Sequence, residues 1–214
     1  CVSWVLHNDE PLWVNAVEMS NDGIYHHSNW FFVPEDYEDW PTDHWPNCYS
    51  DGFGEIEAAL SGGVLYAQTT QATRELQKFG NGAAVSIPPR SRIIAATHLL
   101  NYAPEPVSSE LRMTLYALPA AEVQTVLTPF QFSNGGIYLP PQSKSLFRAE
   151  CDLAATWSKF YTSTPLDLKL HYFLPHYHSL GTSFSVQLAG GPRDGDTLMD
   201  VQGYGGDTWG RVFD

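Results

Sequence analysis

Alternation of apolar and polar side chains runs through much of this chain with the period of two that a half-buried β-strand requires. It is clearest at 166–174, where Leu166, Leu168, Leu170, Tyr172 and Leu174 alternate with Asp167, Lys169, His171 and Phe173. That pattern predicts a strand with one face on a core. Pro175 follows and, having no N–H for the ladder, marks the end of the strand, a bulge or an edge position. Residues 110–118 alternate in the same way, and shorter apolar runs at 2–6, 12–19 and 63–67 predict further strands. Residues 24–34 read as an aromatic strand. Residues 82–101 read as a Pro-Pro turn leading into a buried strand with His98 near its end. Turn-forming Asn8-Asp9-Glu10-Pro11 and Asn21-Asp22-Gly23 separate the first elements, and 55–60 predict a single helical turn.

Residues 136–147 echo residues 84–94 in a hydrophobe-Pro-Pro-polar-Ser pattern. Repetition of one supersecondary unit is what two similar β-domains in tandem produce. A cut at Pro119-Ala120-Ala121 divides the chain into 1–118 and 119–214.

Composition narrows the class. Hydrophobic residues make up 43% of the 214 residues and charged residues 16%, with 7 Trp, 11 Tyr and 11 Phe, which is the make-up of a globular chain with a core. The 17 Gly and 15 Pro at short intervals favour many short strands over long helices. With 11 Lys and Arg against 24 Asp and Glu, the net charge of −13 repels nucleic acid and anionic membranes. No apolar run approaches the roughly 20 residues of a spanning helix. Three cysteines allow at most one intramolecular bridge and one leftover thiol, and a bridge would imply an oxidising compartment. The abrupt ends suit an excised or processed piece of a longer protein.

The candidate chemistry lies in the histidines. His176 and His178, at i and i+2 beside a strand end, leave the same face of an extended chain roughly 6.5–7 Å apart. Two imidazoles so placed can share a metal ion at about 2.0–2.1 Å. His26 and His27 are adjacent, so in a flat strand they point to opposite faces and can share an ion only across a bulge or bend. His98 stands near the end of its own strand. Imidazoles without thiolate pairs suit copper or zinc. His7, His44 and His171 read as ordinary hydrogen-bonded surface or rim residues. Asp36, Glu38 and Asp39 form a cluster of a type that can bind calcium, although a solvated loop explains it as well.

Taken in order and spacing, His26-His27, His98 and His176-Tyr177-His178-Ser179-Leu180-Gly181 resemble the copper type II, ascorbate-dependent monooxygenases, the family of peptidylglycine α-hydroxylating and dopamine β-monooxygenases. The resemblance covers nearly the whole chain. It implies an all-β fold of two tandem antiparallel β-sandwiches, the second incomplete here, with a solvent-filled cleft between two coppers. It implies one copper on His26, His27 and His98 and a second on His176 and His178, where oxygen and substrate meet. It further implies a disulfide from Cys1 to Cys48, secretion, ascorbate as reductant and hydroxylation of a C–H bond in a small substrate.

Three positions depart from the family pattern. The methionine that completes the second copper site has no match; Met199 is the remaining candidate but stands in a different context, so another chain or segment would complete the site. Leu174 replaces an arginine that holds a substrate carboxylate, so a glycine-extended peptide is not expected. Ala96 replaces a glutamine near the third histidine. The same residues also carry three other readings. One is a non-catalytic copper-binding or interaction protein, another a zinc hydrolase or lyase. The third is a secreted binding module whose Trp40 and Trp45 line a groove.

Overall fold

The first half of the chain turns its alternating segments into long, well-paired strands. A computed structural model describes residues 1–36, 43–68, 72–160, 165–204 and 211–213. The elements of the first half are β1 (Val2–Val5), β2 (Leu12–Asn21), β3 (Tyr25–Pro34), β4 (Asp43–His44), α1 (Glu55–Ser61), β5 (Gly63–Ala67), β6 (Arg74–Lys78), β7 (Ala83–Ile87), β8 (Ser91–Leu99), β9 (Leu111–Leu118) and β10 (Thr125–Leu127). They form an all-β sandwich of two five-stranded sheets. In one the order is β4-β1-β8-β3-β5, antiparallel throughout. In the other β2 pairs antiparallel with β6, β7 and β9, and β10 runs parallel to β7.

The core lies between the sheets. Val14, Val17 and Met19 of β2 and Ile87 of β7 meet Trp30 and Phe32 of β3, Leu65 and Tyr66 of β5 and Ile93 of β8. Burying each aliphatic side chain fully contributes about 1.5–3 kcal/mol. The unbroken apolar run at 30–33 has a direct cause: Phe31 and Val33, pointing the other way, enter a second cluster with Cys48, Phe53, Ala58, Ile94 and Ala96. The sheet is therefore buried on both faces. Its outer cover is the segment through Cys48 and α1, the helix forming where 55–60 predicted it. Gly62 lets α1 come this close, since a Cβ there would stand 1.9 Å from the Phe32 carbonyl oxygen.

A disulfide joins Cys1 to Cys48, with Cα atoms 5.7 Å apart. Its ends are doubly tied: the Cys1 amino group donates to the Trp45 carbonyl at 2.8 Å, and the Trp45 N–H donates to the Cys1 carbonyl at 2.8 Å. Cys151 is a free, exposed thiol.

The second half is sparser. It holds α2 (Leu153–Phe160), β11 (Tyr172–Phe173), β12 (Ser183–Gln187), β13 (Thr197–Gln202) and β14 (Arg211–Val212), with β11 pairing β14 and β12 pairing β13, both antiparallel. The helix at 153–160 was not foreseen from the sequence. The strand expected over 166–174 is corrected to the two residues of β11, leaving Leu168 51% and Leu170 37% exposed. Alternation alone makes a strand only where a neighbour accepts its hydrogen bonds. Among the described residues, only β14 forms a ladder with this segment. The boundary expected at 118/119 falls just before β10, which belongs to the first sandwich through β7.

The internal echo survives at its turns. Arg90 and Gln142, each following a Pro-Pro pair, both adopt the left-handed region with φ of 54° and 56°. In both turns the next serine bonds back three residues, Ser91 Oγ donating to the Pro88 carbonyl at 2.8 Å and Ser143 Oγ to the Pro140 carbonyl at 3.1 Å. Strands flank only the first turn among the described residues.

Candidate metal centre

Adjacent histidines in β3 can face one site only if the strand is irregular, and it is. Pairing of β3 with β8 slips between Tyr25 and His27, so that Tyr25 opposes Leu99 while His27 opposes His98. The extra residue is His26, and the bulge brings the His26 and His27 rings to 5.0 Å between centroids. Direct opposition across the strands places His98 Nδ1 2.9 Å from His27 Nε2.

The second set arrives from the C-terminal half. Pro175 comes two residues after β11 ends, and His176-Tyr177-His178 follow in irregular chain. Tyr177, between the histidines, stacks on Phe184 of β12 at 5.6 Å and donates its hydroxyl to the Gly203 carbonyl. The β12–β13 hairpin thus holds the loop in place. His178 Nδ1 lies 3.2 Å from His26 Nε2, and the His176 ring is 5.1 Å from that of His27. Each of these close nitrogen pairs is an N–H···N bond in which one imidazole donates and the other accepts.

Gln68, which sequence reading missed, braces this junction. Its backbone carbonyl accepts from His176 Nδ1–H at 3.0 Å, which fixes the tautomer and leaves Nε2 with a lone pair. Its fully buried side chain accepts from Ser28 Oγ at 3.2 Å and donates to the Ala72 carbonyl at 3.2 Å. Ser28 adjoins His27, so one glutamine ties both histidine sets together. A lone Gln after an apolar strand carries no sequence signal for this role. Ala96, near His98 in sequence, is buried opposite Asn29.

The donor set fits a metal that prefers nitrogen. One ligand atom each from His26, His27 and His178 can be chosen so that all lie within 4.8 Å of one another. Donors about 2.0–2.1 Å from one ion stand at most about 4.2 Å apart, so small ring rotations close the set. Binding requires neutral imidazoles. Burial and the four surrounding histidines push the His27 pKa down to about 3, and crowding on its inner side, together with His178, lowers that of His176. On the far flank Tyr49 sets its ring 5.1 Å from His98 and donates to Glu55, which also accepts from Asn29 Nδ2 at 2.9 Å.

The five histidines expected to divide into two sites therefore form one cluster. His26 and His27 meet His178 at ring distances of 4.8 and 5.7 Å, so the two sets are in contact. Met199 is buried in β13 opposite Val186. His7 lies between β1 and β2, His44 in β4 and His171 just before β11. Glu38, Asp39 and Trp40 lie outside the described residues. A cavity lined by Phe32, Pro34, Glu35, Gly62, Pro88 and Arg90 lies at the opposite end of β3 and includes no histidine. Searches against protein-family models, curated proteins and solved structures find no match for this chain.

Proposed function

We propose that this chain is a copper-dependent, monooxygenase-like protein that hydroxylates a C–H bond of a small substrate with dioxygen and a reductant such as ascorbate. The observation that supports it is the convergence of His26, His27, His98, His176 and His178 from three separate segments on one locus. Copper supplies one-electron redox chemistry toward dioxygen that no side chain here can provide. The chain contributes imidazole donors, a tautomer fixed by the Gln68 carbonyl and a paired β3–β8 platform. His98, His176 and His178 are solvent-exposed whereas His27 is buried, so a substrate would approach the exposed rim of the cluster. Leu174 offers no charge for a carboxylate, which argues against a glycine-extended peptide. The Cys1–Cys48 bridge suits secretion or another oxidising compartment.

The burial of Met199 in the β12–β13 ladder favours a second reading, a copper-binding protein without oxygen chemistry. Reconstitution with copper followed by ascorbate-dependent oxygen uptake separates the two. Uptake above that of an equal concentration of free copper, lost in His176→Ala, supports the monooxygenase reading. Bound copper without such uptake supports the second.

A further inference from the structure

We infer that one metal ion is shared between the two histidine sets, held by His26 and His27 of β3 and His178 of the C-terminal loop, and that it staples this loop to the sandwich. The inference rests on the copper reading above, but it divides the ligands differently from the family resemblance, which assigns His26 and His27 to one ion and His178 to another. Three observations carry it. The bulge that turns His26 and His27 together aims them at His178, and the three offer ligand atoms within 4.8 Å of one another. Among the described residues, His98 and His176 do not join that 4.8 Å set; His98 Nδ1 instead bonds His27 at 2.9 Å and His176 Nδ1 the Gln68 carbonyl at 3.0 Å. Both are positioning residues here, one for the His27 ring and one for the loop. Finally, among the described residues the loop carrying His178 shares no ladder with the sandwich, and β11, β12 and β13 pair with strands of the second half. Without metal, the side-chain bonds that join it to the sandwich at this point include His178 to His26 at 3.2 Å and His176 to the Gln68 carbonyl at 3.0 Å. An ion replacing the His178–His26 bond ties the two parts through three donor bonds.

The test is Cu(II) titration of the whole chain with metal counted after dialysis, alongside hydrogen exchange of residues 174–187 with and without Cu(II). One tightly bound equivalent is expected, together with slower exchange of the loop amides when copper is present. His26→Ala and His178→Ala are each expected to lose that equivalent and the protection with it. His98→Ala keeps one equivalent at roughly 10–100-fold weaker affinity, the usual cost of removing a group that orients a ligand. His178 is exposed and in irregular chain, so its substitution does not threaten the fold, and the exchange measurement on the unaltered chain needs no variant. Two equivalents, one removed by His26→Ala and the other by His178→Ala, would overturn the shared centre while leaving the copper reading intact. No bound copper would overturn both.

Discussion

Breaking the Cys1–Cys48 bridge gives the most quantitative test of this structure. The bridge closes a loop between residues 47 apart in sequence. In the chain-entropy treatment, opening such a loop returns about 14 cal/mol/K to the unfolded chain, or about 4 kcal/mol at 25 °C. For a chain of this size that corresponds to roughly 8–16 °C in melting temperature. Native contacts add to the argument, because Cys48 is itself buried against Phe31, Phe53 and Ile94 on the outer face of the sheet. Reduction leaves both sulfurs in place and isolates the cross-link from that packing, whereas Cys48→Ser removes both. The assay is guanidinium unfolding followed by tryptophan fluorescence, oxidised against reduced, with Cys151→Ser as background to prevent exchange. Cys48→Ser should lose more than reduction does. Loosening this segment also frees Tyr49, whose ring lies 5.1 Å from His98, so copper affinity should fall modestly in parallel. A reduced protein within about 0.5 kcal/mol of the oxidised one would refute the reasoning, showing that the unfolded chain gains little freedom when the loop opens.

Glu75 supplies a pH signature. It is buried beside Tyr66 Oη at 2.9 Å and Gln77 Nε2 at 2.8 Å, and burial raises its pKa above 4.5. The folded state therefore holds a proton that the unfolded state has released, so stability falls as pH rises through the window above about 4.5. Glu75→Gln should lack this decline in urea midpoints measured from about pH 4 to 8; identical slopes would contradict the assignment. Glu18 and Asp22, held low by Tyr116 and Ser109, act with the opposite sign and cancel between the two proteins. Gln68→Ala removes the buried bond to Ser28 that braces the histidine junction. It should weaken Cu(II) binding about 10–100-fold without changing stoichiometry, as titration of the variant would show.

Much of the first half was legible because its apolar pattern and its partners agree. The continuous run at 30–33 records a strand buried on both faces, and the Pro-Pro turn before Ser91 is built as its composition predicts, with Arg90 left-handed. The second half shows the limit. Residues 166–174 alternate as cleanly as any in the chain, yet Leu168 and Leu170 face solvent, because a strand exists only where another backbone meets it. The α2 helix did leave a trace that was missed: Leu153, Trp157 and Phe160 recur at helical spacing behind Asp152, whose carboxylate accepts from the Ala155 N–H at 2.8 Å.

From the chain alone come the residue types and their order: an all-β composition, an acidic surface, and histidines at 26, 27, 98, 176 and 178 suited to a soft or borderline metal. Spacing of two along a chain, or of one across a bulge, constrains only neighbours. Whether His178 meets His26 or stands across a cleft depends on how loops of irregular backbone dock, and that is set by groups distant in sequence. Here those groups are Gln68 beneath His176, Phe184 against Tyr177 and the one-residue slip between β3 and β8. Each is a local hydrogen bond or ring contact with no periodic trace in the sequence, and together they decide that the five imidazoles share one locus.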